Sequence, residues 1–200
     1  MSTQLILIRH GATAWNMEKR YCGWTDVGLS KEGKIQVRLL AKRLKKEKVD
    51  NVYSSDRIRA LSTATLCFKQ IKITKVPDLR EMNFGVFEGL SYNQILASSY
   101  ADIYKKWLSD PFSASIPKGE EALNFKRRVL KVLRGIVVSG RNKTIAIVAH
   151  GGVISMFVNS ILKEKDFWKH IPGSASITFV EYKNNKPKLQ LFNDIRHLKG

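Results

Sequence analysis

Two short apolar segments, each followed at once by histidine and glycine, constrain the fold of this chain more than any other feature. The first reads LILIRHG and contains His10, and the second reads TIAIVAHGG and contains His150. A short continuous apolar run is typical of a strand buried on both faces, as in a parallel sheet covered by helices. Because ligands bind beyond the carboxyl ends of such strands, the two imidazoles are predicted to converge on one site.

The rest of the chain alternates between strand and helix patterns. A helix is predicted to begin at the N-cap Ser30 and to turn four apolar side chains inward, Ile35, Leu39, Leu40 and Leu44. Further helices are predicted over residues 59–70, 92–108, 120–138 and 152–162, strands over 49–53 and 71–76, and a hairpin over 175–192. This alternation predicts an α/β sandwich with a mixed, largely parallel sheet, and one domain over residues 1–200.

Composition and charge narrow the class of protein. The 35 Lys and Arg against 17 Asp and Glu give a formal charge of +18, which attracts phosphorylated metabolites as well as nucleic acid. The lysines are spread along the chain, and neither zinc-ligand spacing nor an arginine-rich arm supports specific nucleic-acid binding. Two cysteines do not make a disulfide framework, and signal-peptide and membrane-spanning patterns are absent from the sequence. We therefore expect a soluble, cytoplasmic monomer or homodimer without a membrane partner.

Charged residues suited to phosphate chemistry lie beside the predicted strand ends. Arg9 precedes His10, and Arg59 opens a predicted helix in SSDRIRALSTA, where the helix dipole disfavours a cation unless it binds an anion. Glu81 and Glu88 both lie in LREMNFGVFEG. A neutral imidazole attacking phosphorus, cations neutralising its oxygens and a carboxylic acid protonating the leaving group make a coherent mechanism. It requires no metal, and no metal-ligand spacing is present, so we predict no metal or cofactor.

These segments resemble, in the same order, the motifs of the histidine phosphatase superfamily, also called the phosphoglycerate mutase-like family. RHGATAWN is similar to RHGETxWN, SSDRIRALSTA to SDLxRAxxTA, LREMNFGVFEG to LxExxFGxWEG, and VAHGG to VxHGG. The tail FNDIRHL is also similar to family tails, so the resemblance covers nearly the whole chain. It implies a three-layer α/β/α sandwich that hydrolyses phosphate monoesters of small metabolites through a phosphohistidine, without a metal.

The resemblance also implies a role for each matching residue. His10 would be the nucleophile and Glu81 the proton donor, while Arg9, Arg59 and His150 would form the phosphate pocket. Further contacts to the substrate or its phosphate are implied for Asn16, Cys22, Gly23 and Gly151. The chain departs from the usual family residues at Ala12, Cys22, Phe87 and Glu121, the last standing where serine is common. These departures bear on substrate fit and leave the required chemical groups in place.

Several alternatives stay open. Glu88 competes with Glu81 as the acid, and Arg57 with Arg59. Among substrates, the segment RYCGWTDVGLSKEG and the later Pro-x-Gly-Glu pattern favour a phosphatase of the α-ribazole or broad-specificity type. A cofactor-dependent phosphoglycerate mutase is the alternative, although mutases carry an ERHYG-type sequence where this chain has EMNFG. From another class, the chain would be a basic nucleic-acid-binding protein or a catalytically dead interaction module.

Overall fold

A six-stranded sheet lies between two layers of helices in the computed structural model, which describes residues 2–199. The strands are β1 (Thr3–Arg9), β2 (Asn51–Ser54), β3 (Ile73–Lys75), β4 (Thr144–Ala149), β5 (Ile177–Lys183) and β6 (Lys186–Asp194). The α-helices of the described residues are α1 (Ala14–Met17), α2 (Lys31–Leu44), α3 (Ile58–Cys67), α4 (Tyr92–Leu96), α5 (Ala101–Ser109), α6 (Ala122–Ser139) and α7 (Gly151–Leu162). Short 3-10 turns span Pro77–Leu79, Gly85–Phe87 and Arg196–Leu198.

The strand order β3-β2-β4-β1-β5-β6 confirms the predicted mixed, largely parallel sheet. The strand β1 pairs in parallel with β4 and antiparallel with β5, while β2 pairs in parallel with both β3 and β4. Because β6 pairs antiparallel with β5, only β5 runs against the other five strands. The register places Arg9 opposite Ala149, so the two strands end level and deliver the next residues, His10 and His150, side by side.

Each face of the sheet is covered by different helices, which confirms the three-layer sandwich. Neighbouring residues along a strand point to opposite faces, so a strand buried on both faces is apolar throughout. On one face, Leu5, Leu7, Ile145 and Ile147 pack in a core with residues of α4 to α7. On the other face, Ile6, Ile8, Ala146 and Val148 pack in a core with residues of α2 and α3. The continuous apolar runs of β1 and β4 therefore follow from their central position in the sheet.

The helix α2 begins as predicted and buries Leu40 and Leu44 as predicted, but one of the four predicted inward side chains is exposed. Ser30 is its N-cap, and its hydroxyl accepts a hydrogen bond from the Gly33 backbone at 2.9 Å. The prediction that Ile35 points inward is wrong, because that side chain is 48% exposed and Val37 is buried instead. The cause is backbone contact: a side chain at Gly33 would lie 1.9 Å from the Ala12 carbonyl oxygen, so this close approach sets the buried face.

The single helix predicted over residues 92–108 is divided into α4 and α5. Ser98 explains the break, because its hydroxyl donates to the Ile95 carbonyl at 2.7 Å and accepts from the Tyr100 backbone at 3.1 Å. Such side-chain hydrogen bonds to nearby backbone compete with helix formation. Farther along the chain, Glu121 is the N-cap of α6 and makes no capping hydrogen bond. The helix α6 therefore has no side-chain cap at the position where family members commonly have serine.

An aromatic cluster on the side of the sheet that carries α4 to α7 supports the segment before Cys22. The Tyr21 ring contacts those of Phe84 and Trp107, with centroids 5.0 and 5.8 Å away. The Tyr21 hydroxyl also lies 2.8 Å from that of Tyr104. Trp107 is fully buried, as expected for a packing residue. Within residues 2–199, none of the helices is both long and apolar enough to cross a lipid bilayer.

Candidate active site

The two histidines that follow β1 and β4 meet at the carboxyl edge of the sheet. Their ring centroids lie 5.1 Å apart in an edge-to-face arrangement. His10 is 3% exposed and His150 is fully buried. The convergence expected from the repeated strand-His-Gly pattern is therefore present, and it follows from the level parallel pairing of the two strands.

His10 is oriented so that one ring nitrogen is available for attack. Its Nδ1 donates to the Gly11 carbonyl at 2.8 Å, which leaves the lone pair on Nε2. Burial lowers the pKa of His10 well below its ordinary value, and the nearby guanidiniums of Arg59 and Arg9 lower it further. The Gly11 backbone is itself fixed, because its N–H donates to the Thr63 hydroxyl at 3.1 Å. A neutral imidazole with a free Nε2 is the form that acts as a nucleophile.

His150 faces the same space from the end of β4. Its Nε2 lies 2.8 Å from the hydroxyl of the buried Ser55. Its Nδ1 is buried and has no hydrogen-bond partner among the residues that the structure describes. Burial lowers the pKa of His150 well below its ordinary value, and Arg59 and His10 add to the effect. The lowered pKa favours the neutral form of the ring.

Arg59 is a fully buried cation with no carboxylate partner in the described part of the chain. Its guanidinium donates to the carbonyls of Gly23 at 2.7 Å, Thr25 at 3.0 Å and Cys22 at 3.3 Å. Its Nε is buried without a partner. A buried charge is costly unless it is paired, so this guanidinium is well suited to binding an anion.

Arg9 provides a second guanidinium on the neighbouring strand end. One of its terminal nitrogens donates to the Pro172 carbonyl, and its Nε is buried without a partner within residues 2–199. Gly151 lies against this group, since a side chain there would come within 3.3 Å of the Arg9 Cζ. Buried side-chain nitrogens of Arg9, Arg59 and His150 thus have no partner within residues 2–199, and, after burial, the charges of Arg59 and Arg9 lower the pKa of both histidines, as expected of groups that lie close together.

Glu81 is a buried carboxyl group held beside the start of α7. Its Oε2 accepts from the Gly152 backbone at 2.8 Å, and its Oε1 from the Met82 backbone at 3.0 Å. A side chain at Gly152 would lie 2.3 Å from Oε1, so the second glycine of the motif leaves space for the acid. Burial raises the pKa of Glu81, and the two backbone bonds, Arg9 and Arg59 oppose the rise. The carboxyl is therefore shifted toward the proton-carrying form that a general acid needs.

The two competing residues of the sequence analysis have other partners. Glu88 accepts from the backbone N–H groups of Trp24 at 2.7 Å and Thr25 at 2.6 Å. Arg57 donates to the Trp24 carbonyl at 2.8 Å, and its Nε lies 3.7 Å from Asp56. Both side chains are thus bonded to the segment around Trp24, and the geometry favours Glu81 as the acid and Arg59 as the phosphate ligand.

The structure treats the four predicted substrate contacts differently. Gly151 lies against Arg9, while the carbonyls of Cys22 and Gly23 bind Arg59. Burial raises the pKa of the Cys22 thiol to about 11, so it is uncharged near neutral pH. The Oδ1 of Asn16 accepts from the Thr13 backbone and hydroxyl, each at 3.0 Å. A contact between Asn16 and substrate therefore stays a prediction.

Comparison with known proteins decides the family. Residues 5–195 match the model of the histidine phosphatase superfamily, branch 1. The chain belongs to this superfamily. It is 32% identical over 97% of both chains to the putative phosphoserine phosphatase 2 of Hydrogenobacter thermophilus.

Two solved structures extend the comparison of this histidine phosphatase. A putative alpha-ribazole-5'-P phosphatase from Escherichia coli is 25% identical, with a TM-score of 0.89 over 96% of this chain and 97% of the other. A phosphoserine phosphatase from Entamoeba histolytica, in complex with 3-phosphoglyceric acid, is 30% identical, with a TM-score of 0.88 over 98% and 99% of the chains. The predicted family, fold and enzyme class, a phosphatase, are confirmed.

Sequence reasoning missed the residues that hold the backbone next to the candidate site residues. Arg128 donates to the carbonyls of Asp78 and Arg80, each at 2.9 Å, and forms an ion pair with Glu120. It therefore fixes the backbone that leads into Glu81. The Pro-x-Gly-Glu and Arg-Val pattern contained both charged residues, but their pairing across residues 120–128 and onto residues 78–80 depends on the folded loop. Ser55 and Thr63 were likewise present in a quoted motif without an assigned partner.

The lowered histidine pKa values predict a specific loss of stability in acid. Below about pH 6.5 the unfolded chain binds a proton at each histidine, while the folded chain keeps His10 and His150 neutral. Each of them should reduce the free energy of unfolding by up to about 1.4 kcal/mol per pH unit in that range. The raised pKa of Glu81 has the opposite effect and increases the free energy of unfolding as the pH falls. This contribution is present both in wild type and in a variant that keeps Glu81.

The variant His150→Gln removes one of these titrating groups while its amide can still reach Ser55. Urea unfolding between pH 6.5 and 5 should show a shallower pH dependence in the variant than in the wild type. Equal slopes would mean that His150 is protonated in the folded protein and would contradict the assignment.

Proposed function

We propose that this histidine phosphatase hydrolyses phosphate monoesters of small metabolites through a phosphohistidine at Nε2 of His10. The observation that supports it best is the free Nε2 of a buried, neutral imidazole beside a second neutral imidazole. Around them, buried Nε atoms of Arg9 and Arg59 lack partners in residues 2–199, as does Nδ1 of His150. This combination fits a nucleophile directed at a tetrahedral anion.

In the first step, the lone pair on Nε2 of His10 attacks phosphorus, and the N–P bond forms as the ester P–O bond breaks. Glu81 gives its proton to the departing alkoxide oxygen and becomes a carboxylate. In the second step, that carboxylate takes a proton from water as the water oxygen attacks phosphorus. The N–P bond breaks, inorganic phosphate leaves, and both residues return to their starting forms.

Arg9, Arg59 and His150, the phosphate clamp of this proposal, contribute electrostatic stabilisation in both steps. The phosphoryl group carries its charge on the equatorial oxygens, and most of the catalysis of phosphoryl transfer comes from positioning and charge stabilisation. Arg9, Arg59 and His150 provide donors for these oxygens. Burial lowers the pKa of His10 most, and the same guanidiniums lower it further, so they help to keep the nucleophile unprotonated before the substrate binds.

Phosphoserine is the first substrate to test, and α-ribazole 5′-phosphate the second. The relative at 32% identity and the Entamoeba structure at 30% both have phosphoserine phosphatase in their names, whereas the similar α-ribazole-type structure is 25% identical. Both esters have a primary alkoxide leaving group, which a buried acid such as Glu81 would protonate. We place phosphoserine first because the more similar proteins share that name.

A phosphate-release screen over phosphoserine, α-ribazole 5′-phosphate, 3-phosphoglycerate and p-nitrophenyl phosphate tests the proposal. Wild type should release phosphate from at least one small ester, and His10→Ala should release none above background, because no other described group at the site replaces the nucleophile. Undiminished turnover by His10→Ala would refute it. Rapid isomerisation of 3-phosphoglycerate with a trace of 2,3-bisphosphoglycerate, without phosphate release, would instead establish the mutase alternative.

Substitution of the proton donor should depend on the leaving group. Glu81→Gln cannot protonate an alkoxide, and general acid catalysis contributes typically about 100-fold to 10,000-fold, so phosphoserine hydrolysis should fall steeply. Hydrolysis of p-nitrophenyl phosphate should fall much less in the first step, because nitrophenolate leaves without a proton. Steady-state and burst-phase rates for the two esters give this comparison. Equal losses in the burst phase would show that Glu81 only positions other groups.

A further inference from the structure

One short loop contacts both the phosphate clamp and the proton donor. Residues 22–25 direct the carbonyls of Cys22, Gly23 and Thr25 onto the guanidinium of Arg59. Between them, the indole Nε1 of Trp24 donates to the Glu81 carbonyl at 3.0 Å. The placement of a cation and of an acid therefore depends on the same four residues.

Glu88 holds this loop from the opposite side. Its Oε1 accepts from the Trp24 backbone at 2.7 Å, and its Oε2 accepts from the Thr25 backbone at 2.6 Å and from the Thr25 hydroxyl. The Phe84 backbone also donates to Oε1 at 3.3 Å. A side chain at Gly23 would lie 2.5 Å from Oε1, so the loop fits closely against the carboxylate. These are charge-assisted hydrogen bonds, which are roughly twice as strong as neutral ones.

We propose that Glu88 is a positioning residue for catalysis, which aligns Arg59 and Glu81 through the loop of residues 22–25. The inference deepens the proposed phosphatase function and rests on it. Glu88 acts through backbone bonds and takes no part in proton transfer, so it differs from the acid Glu81 in role although both lie in one motif.

The loop of residues 22–25 determines the position of Arg59. The guanidinium has no ion-pair partner among residues 2–199, and all of its recorded side-chain hydrogen bonds go to the loop carbonyls. Its position is therefore set by the loop backbone. The loop is also bonded to Arg57 through the Trp24 carbonyl and to Glu81 through the Trp24 indole, while Glu88 accepts the backbone N–H groups of both Trp24 and Thr25. Without the Glu88 carboxylate, two backbone N–H groups lose their acceptor and the carbonyls are free to move.

Charge and positioning make opposite predictions for the loss of Glu88. If the carboxylate acted only through its charge, its removal would strengthen the binding of an anion, because a negative group near the site would be gone. If it positions Arg59, its removal weakens anion binding. The sign of the change in affinity for a phosphate analogue therefore distinguishes the two roles.

The test uses Glu88→Gln with orthovanadate as the probe. We expect the vanadate dissociation constant, measured by calorimetry, to rise about tenfold and kcat/KM for p-nitrophenyl phosphate to fall about 10-fold to 100-fold, as for misplaced catalytic groups. Most of the loss should be in kcat. The shorter Glu88→Asp should lie between wild type and Glu88→Gln. The control Glu47→Gln changes a glutamate before β2, at the opposite edge of the sheet, and should match wild type.

Unchanged or tighter vanadate binding by folded Glu88→Gln would overturn the proposal. If thermal unfolding shows that Glu88→Gln does not fold, Thr25→Val takes its place in the test. This variant removes only the hydrogen bond from the Thr25 hydroxyl to the Glu88 carboxylate. Thr25→Val with the vanadate affinity and kcat/KM of Glu47→Gln would then overturn the proposal. Failure of wild type to hydrolyse any ester would refute the proposed function, while vanadate binding would still measure the effect of Glu88 on the clamp.

Discussion

The structure of the site depends on a buried guanidinium that has no carboxylate partner in the described residues. Arg59 is fully buried, and three loop carbonyls bind two of its nitrogens. Carbonyl dipoles reduce the cost of burying the charge without neutralising it. This excess positive charge supports our proposal that the site binds a dianionic phosphate group. Burial lowers the pKa of both neighbouring imidazoles, and the Arg59 charge lowers it further because it disfavours a second positive charge.

From this constraint the division of chemical roles follows. Burial lowers the pKa of His10, the two nearby cations lower it further, and the Gly11 carbonyl fixes its Nδ1 as the donor, so Nε2 carries the lone pair to which we assign the attack. Burial has the opposite consequence for a carboxyl group and raises the pKa of Glu81. One environment thus favours an unprotonated base and a protonated acid, and this is the starting state that ester cleavage requires. Level parallel strands supply the geometry, since they end at the same edge.

The sequence predicted which side chains gather at the candidate site better than it predicted the residues that hold them. His10, His150, Arg9, Arg59 and Glu81 follow strands or occupy motifs, and strand pairing alone brings the histidines together. The partners of these residues depend on tertiary contacts that no local pattern encodes, as with Glu88 on residues 24 and 25, or Arg128 on residues 78 and 80. The error at Ile35 has the same cause, a backbone contact between Gly33 and Ala12, whereas the helix predicted over residues 92–108 is divided by local hydrogen bonds of the Ser98 hydroxyl.

The central claim is that the phosphoryl group passes through Nε2 of His10. The most direct measurement is rapid mixing of wild type with radiolabelled ester, quenching in alkali, where a phosphohistidine survives, and mapping of the label by mass spectrometry with its position on the ring assigned by phosphorus NMR. The account predicts an acid-labile label on the peptide that contains His10, bonded at Nε2. A label on another residue, or on Nδ1, would contradict it.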